Sequence, residues 1–131
     1  MSYIKLNGKV FDADVAISKY NRYFNVLDGE NAGRVMTGRM VRDVIGSYLG
    51  HKITVFRRGD NYAGLDEFWE YLFQHSVDDS VMLEAADGQT TISYEAYYTS
   101  ASQDIEKAED GVNYWGEIEV NFIPMDAQVK P

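Results

Sequence analysis

The sequence has no cysteine and, among its 131 residues, only two prolines and two histidines. Without cysteine there can be neither a disulfide bond nor a thiolate-bound metal. No uncharged apolar run approaches the roughly 18 residues needed to span a bilayer. The first residues also lack the apolar centre of a signal peptide. We therefore expect a soluble chain, made in the cytoplasm, without a signal peptide and without membrane contact.

Basic residues are few as well: 12 against 21 acidic ones, which gives a net charge of −9. Nucleic-acid binding normally needs a dense basic face, so nucleic acid is not an expected partner. The charge is unevenly distributed. Residues 1–59 hold ten basic and five acidic residues, a net of +5, and residues 60–131 hold two and sixteen, a net of −14. This split indicates either a solvated acidic surface or subunits whose basic and acidic patches meet head to tail.

The residues that usually carry catalysis are missing or isolated. His51 and His75 have no second histidine or carboxylate at a ligand spacing such as HExxH, and we expect structural or solvated roles for both. Asp12-Ala13-Asp14 opens like a calcium loop but lacks the later glycine and glutamate. The glycines between 29 and 38 do not form a phosphate-binding GxGxxG motif. The sequence predicts no catalytic residue, no metal and no cofactor, and hence no enzyme.

What the sequence does contain is typical of a β-rich globular domain. It is 45% hydrophobic and 14% aromatic with ten tyrosines, and its length favours a single domain over 1–131. Alternating or apolar runs separated by turn residues predict seven or eight strands. These are two short strands about an Asn-Gly turn in 3–11, then 13–17 continuing toward 27, 41–49, 52–58, 81–86, 92–98 and 116–122.

One segment has helical spacing. Its apolar side chains follow the i, i+3, i+4, i+7, i+8 pattern of an amphipathic helix over about 65–76, namely Leu65, Phe68, Trp69, Leu72 and Phe73. We expect this face to be buried against a sheet, with Asp66 and Glu67 in the first helical turn. The predicted class is α+β, mainly antiparallel β: a β-sandwich or partly open barrel with one helix packed on a sheet.

Two segments lack periodicity. Residues 100–113 are acidic and rich in small side chains, and we interpret them as a long mobile loop. Residues 125–131 follow Pro124, which ends the last strand, and we interpret them as a loose tail.

Five arginines lie in the basic half of the chain: Arg34, Arg39, Arg42, Arg57 and Arg58. They form either scattered surface charge with local ion pairs, such as Arg42 with Asp43 or with an acid across the sheet, or an interface patch, because arginine is enriched where proteins meet.

A ligand-binding alternative rests on the C-terminal half. Tyr97, Tyr98, Tyr114 and Trp115 are candidates for a sugar-binding platform. Glu117 and Glu119 share a strand face, which Glu95 can join across the sheet, and paired carboxylates can make a glycosidase site. Alternating acids on an exposed strand are more often simply solvated, so catalysis is the least favoured interpretation.

The motif A-G-R-x-x-x-G-x-M-x-R-D begins at Ala32 and includes Gly33, Gly38, Met40 and Asp43. With the opening 4–9 and the closing Asn121-Phe122-Ile123, it resembles small tail or baseplate structural proteins of phages and prophages of Gram-positive bacteria. That resemblance implies a tail-tube or distal-tail-like β-sandwich with a flanking helix, which assembles into rings or tubes. It also implies a location in the virion tail, no enzymatic activity, and other tail or baseplate proteins or further copies of itself as partners.

Overall fold

The computed structural model describes residues 4–131 as one α-helix and ten strands. The helix α1 spans Tyr62–Gln74, and a short 3-10 turn spans Ile17–Lys19. The strands are β1 (Ile4–Leu6), β2 (Ala13–Val15), β3 (Asn21–Asp28), β4 (Gly33–Arg34), β5 (Met40–Val41), β6 (Val44–Arg57), β7 (Val81–Asp87), β8 (Thr90–Tyr97), β9 (Ala101–Glu109) and β10 (Val112–Pro124). The predicted class, mainly antiparallel β with one helix, is confirmed.

Within residues 4–131, eight strands form one antiparallel sheet. Six of them follow the order β1, β7, β8, β10, β6, β2, and β3 and β9 pair beside this series. β3 pairs with β6 beside β2, and β9 pairs with β10 beside β8. The long strands β6 and β10 lie at the centre, with Ile118 opposite Val55 and Phe122 opposite His51. The sheet is nearly closed on itself, as a partly open barrel.

The core fills the space between the inner sheet face and α1. Phe68 is fully buried, and its ring meets that of Phe11 edge-on at 5.0 Å between centroids. Such an aromatic pair contributes about 0.5–1.5 kcal/mol beyond the area that it buries. The other large, fully buried apolar side chains are Leu6, Ile53, Val55, Leu65, Leu83, Ile118 and Phe122.

The helix begins three residues earlier than the sequence predicts and ends two residues earlier. Asn61 caps its first turn, where the side-chain oxygen accepts a hydrogen bond from the Gly64 amide at 3.0 Å. Asp66 and Glu67 therefore lie beyond the first turn. Gly64 is a packing residue inside the helix, because a Cβ atom there would collide with the Asp12 carbonyl oxygen.

The predicted buried face of the helix is only partly right. Leu65, Phe68 and Leu72 are buried in the core, and Trp69 is half-buried against it. Phe73 is wrong as a core residue, since 67% of its surface is exposed. At 100° per residue, position i+8 lies about 80° from position i, at the margin of the apolar stripe.

The predicted mobile loop at 100–113 is wrong: it is β9 and the start of β10, joined at a tight turn where Asp110 and Gly111 have φ of +53° and +77°. Nearly every side chain of β9 is exposed. Because neither face of β9 is consistently buried, its sequence carries no alternation to mark it as a strand.

The predicted break at Gly50-His51 is also wrong, because β6 runs without interruption through both residues. Gly50 marks a close approach instead of a turn: a Cβ atom there would sit 2.5 Å from the Tyr23 ring and 3.0 Å from the Phe122 carbonyl oxygen. The strand predicted to continue from Ala13 past Val15 ends at Val15. A 3-10 turn then carries the chain from β2 to β3, which pair with the same edge of β6.

The Asn-Gly turn is confirmed. Asn7 and Gly8 have φ of +53° and +79°, as a two-residue hairpin turn requires. The residues after the turn do not form the second predicted strand, and β1 pairs with β7 instead. Tyr3, with which the prediction begins, lies outside the described residues.

Candidate assembly surface

A two-stranded ribbon extends from the core. It is formed by β3 and the N-terminal half of β6, with pairs running from Asn21 opposite Lys52 to Asp28 opposite Val44. None of the eight residues of β3 is buried. We call residues 21–50, which include β4 and β5, the arm.

The arm exposes many apolar side chains. Phe24 and Val26 lie on one face of β3, opposite Leu49 and Ser47 of β6, and 69% of Phe24 is exposed. Leu27 on the other face is exposed too. Contiguous exposed apolar surface on a folded protein typically marks an interaction site.

The arm ends in a small, well-formed turn that carries the sequence motif. Gly33 and Arg34 pair with Val41 and Met40, and Gly38 takes a φ of +85°, which only glycine adopts at little cost. At the base of this hairpin, the Gly29 amide donates to the Asp43 carbonyl oxygen at 2.6 Å. We call residues 34–39 the tip.

The structure does not bring the five candidate arginines into one patch. Arg42 lies on the arm and pairs with Asp28 at 2.8 Å, the cross-sheet option, and its guanidinium lowers the pKa of that carboxyl group. Arg57 and Arg58 lie at the opposite end of β6.

These two arginines are also paired within the chain. Arg57 contacts Glu106 at 3.1 Å, and Arg58 contacts Asp12 and Asp14 at 3.0 and 2.9 Å. These contacts agree with the local ion-pair alternative for Arg57 and Arg58, and the interface patch stays a prediction. Within residues 4–131, Arg34 and Arg39 form no ion pair; Arg34 instead donates to the Gly38 carbonyl oxygen at 3.0 Å. The tip therefore presents two cations to solvent.

The segment predicted as a loose tail is attached to the arm. The Ser47 amide donates to the Val129 carbonyl oxygen at 2.9 Å. The Gln128 side-chain amide accepts from the Leu49 amide at 2.8 Å and donates to the Leu49 carbonyl at 2.9 Å. A side-chain amide thus takes the place of a backbone partner and covers one edge of β6.

The root of the arm holds a buried histidine. His51 Nδ1 lies 2.7 Å from the Tyr94 hydroxyl and Nε2 lies 3.0 Å from the Ala86 carbonyl oxygen, so a neutral ring protonated on Nε2 satisfies both. Burial lowers the pKa of His51. The Tyr20 ring packs edge-on against it. Sequence patterns do not indicate this cluster, because its members come from four separate strands and turns.

The four candidate sugar-platform residues are not coplanar neighbours. Tyr98 is buried and donates to the Leu72 carbonyl oxygen at 2.6 Å, and burial raises its pKa to about 12. Tyr114 packs on Tyr62, and Trp115 lies beside the helix. Tyr97, the last residue of β8, is exposed, whereas Tyr98 is buried, so these two rings do not share one exposed surface.

Of the candidate acids, Glu117 forms an ion pair with Lys19 at 2.7 Å. Among residues 4–131, no three histidine, aspartate or glutamate side chains come close enough together to hold a metal ion.

No protein-family model matches the chain, and no curated protein matches it. No helix within residues 4–131 has the length and apolar character needed to cross a membrane.

Proposed function

We propose that this protein is a non-enzymatic assembly subunit of a phage or prophage tail or baseplate, which acts through protein–protein contacts in a ring or tube. The observation that carries the proposal is the arm, a ribbon with no buried residue in β3 and with apolar side chains on its surface.

The segment around Gln128 covers the β6 edge of the arm, while the residues of β3 are exposed or half-buried. An exposed edge strand favours pairing with other chains. The outer edge of β3 has no partner strand within residues 4–131. A second protein surface would bury the Phe24 side chain and pair that edge.

The resemblance supports the same role. The residues that carry it, from Gly33 to Asp43, form the outer end of the arm, where a contact surface would need a fixed shape. Other tail proteins and further copies of this chain are the partners that this proposal implies, and the virion tail is the location.

Self-association tests the interface part of the proposal. Phe24→Lys places a charge on the arm surface and should reduce association in sedimentation velocity. Ile17→Lys is the matched control, because 76% of Ile17 is exposed but it lies outside the arm. Equal association of the two variants and the wild type would exclude the arm as the contact surface.

The particle itself tests the location. Phage particles released from the source cells should contain this protein in many copies, as measured by mass spectrometry of the purified particles. Its absence from intact particles that carry other tail proteins would overturn the assignment to the tail.

A further inference from the structure

A groove runs along the helix on the side facing β9 and β10. Two adjoining cavities of about 320 and 310 Å³ share Trp69 as a common wall. The first is apolar, with Leu72, Phe73 and Tyr98 among its lining residues. The second is lined by the acids Asp66 and Glu70. We call the two cavities together the helix groove.

Two side chains of the groove, Phe73 and Asp66, lack partners in the described part of the chain, whereas Glu70 accepts a hydrogen bond from Gln74 at 2.8 Å. Phe73 is mostly exposed, and neither cavity is lined by a lysine or arginine. Asp66 makes no hydrogen bond or ion pair within the described part of the chain, and partial burial raises the pKa of its carboxyl group. A cation supplied from outside would stabilise the charged form of this carboxylate.

The tip of the arm has the complementary chemistry. Met36 is fully exposed at the turn and lies between Arg34 and Arg39 in the sequence. The turn is fixed by the Val35 amide, which donates to the Arg39 carbonyl oxygen at 3.0 Å, and by the Arg34 bond to Gly38. A preformed loop loses less entropy on docking.

The length of the helix groove also fits the side chains of the tip. Asp66 and Phe73 lie seven residues apart on the helix, roughly 10 Å at 1.5 Å per residue. A methionine side chain can thus occupy the apolar cavity while a neighbouring arginine, a long side chain, reaches the acids.

The start of β6, from which the tip hairpin is reached, lies far from the groove of its own chain. Ala101 of the groove lies opposite Val120, which lies opposite Ile53. Ile53 is nine residues along β6 from Val44, where β6 begins, so the two are roughly 30 Å apart at 3.3 Å per residue. This separation favours a second copy as the partner of the tip.

We propose that the tip of one copy docks in the helix groove of a second copy, with Met36 in the apolar cavity and Arg39 beside Asp66 and Glu70. The contact is heterologous, so repetition builds a ring or an open filament. This inference rests on the proposed assembly function and names the partner of the arm.

A charge-swap experiment tests it. One variant carries Arg34→Glu and Arg39→Glu, and a second carries Asp66→Arg and Glu70→Arg. Each variant alone sets like charges against each other and should associate roughly tenfold more weakly than the wild type or worse, since charge complementarity governs such contacts. An equimolar mixture of the two should regain association, because each tip then meets a groove of opposite charge. Sedimentation velocity at low salt measures all four samples.

The matched control is Lys52→Glu with Lys130→Glu, which changes the net charge as much as the tip variant does. It should associate like the wild type. Thermal melts of each variant establish that it is folded, and Met36→Ser, at a fully exposed position, tests the apolar cavity without altering charge.

The outcomes separate the two proposals. If the wild type associates but neither charge variant differs from the Lys52 and Lys130 control, the tip–groove contact is overturned while an assembly role stands. If both variants weaken association but their mixture does not regain it, the pairing of tip with groove is likewise overturned. A wild type that stays monomeric at about 1 mM, a concentration that populates even weak contacts, overturns self-docking, and detection in particles then decides the tail role separately.

Discussion

The two ends of β6 differ in their burial and in the strands that they pair with. Over 51–55 the strand pairs with β10, and the side chains of His51, Ile53 and Val55 are buried. Over 44–50 it pairs with β3 and is covered on its other edge by the segment around Gln128, and Ile45 is exposed. Both ends contain β-branched apolar residues, Val44 and Ile45 in one and Ile53 and Val55 in the other. What differs is the covering layer, so apolar character alone does not distinguish a core strand from a surface offered to a partner.

The largest effect should come from truncating a matched pair of phenylalanines, one in each region. Phe68→Ala removes a fully buried ring and should lower the free energy of unfolding by about 3–5 kcal/mol. Phe24→Ala on the arm should change it by less than about 0.5 kcal/mol. Urea denaturation of both variants measures the contrast, and equal losses would mean that the arm is part of the cooperative core.

A pair of glycines gives the next largest effect. Gly64→Ala forces a methyl group against the Asp12 carbonyl oxygen and should destabilise the fold by about 1–3 kcal/mol, as overpacking does. Gly33→Ala on the arm meets open space and should be neutral. Thermal melts compare them. A Gly64→Ala protein as stable as the wild type would show that the helix can move away from β2.

His51 makes the boundary between the two regions sensitive to pH. Its folded pKa lies below the ordinary 6.5, because burial disfavours the imidazolium. As the pH falls below about 6.5, the unfolded chain takes up a proton that the folded chain does not, so stability decreases until the folded pKa is reached. His51→Gln should therefore flatten the decline in stability below pH 6.5 relative to the wild type.

Denaturant midpoints between pH 7.5 and 5 measure that slope. The groups that face His51 are Tyr94 on β8, Tyr20 before β3, and the Arg22–Asp87 ion pair, so each is kept unchanged. His75→Gln, at the partly exposed end of the helix, controls for the loss of a histidine as such. Identical slopes for the wild type and His51→Gln would exclude His51 as the cause.

The smallest expected effect on stability is confined to the arm. Gln128→Ala removes two hydrogen bonds to Leu49, each contributing about 0.5–1.5 kcal/mol to the structure that it holds. The global melt should shift only slightly, because the arm lies outside the core. Hydrogen exchange at 44–50 should become faster, while exchange at 51–55 stays the same. Faster exchange over the whole of β6 would indicate that the arm and core unfold together.

The sequence predicted the fold where one face of an element is buried. The helix and the β10 residues Ile118 and Phe122 follow this rule, and the Asn-Gly turn was predicted from its residue types alone. Prediction failed for β9, which is exposed on both faces, and for glycines such as Gly50 and Gly64 that permit close packing rather than turns. A single sequence does not distinguish these two uses of glycine.

The candidate surface was predictable only in part. The glycine motif lies on the hairpin at the end of the arm, where its role stays a prediction. Ion pairs such as Arg58 with Asp12 and Asp14 join residues more than 40 positions apart. Gln128 and the His51 cluster depend on contacts over similar or greater separations. Periodicity carries no information about such pairings.

The continuity of β6 has a mechanical consequence. This strand pairs with β3 over 44–52 on one edge and with β10 over 51–55 on the other, so the two ladders overlap at His51 and Lys52. A pull on the arm along its length therefore loads both ladders in shear, in which many cross-strand hydrogen bonds must break together. Tension applied to the arm is transmitted to the barrel through a single unbroken strand, with no hinge between them.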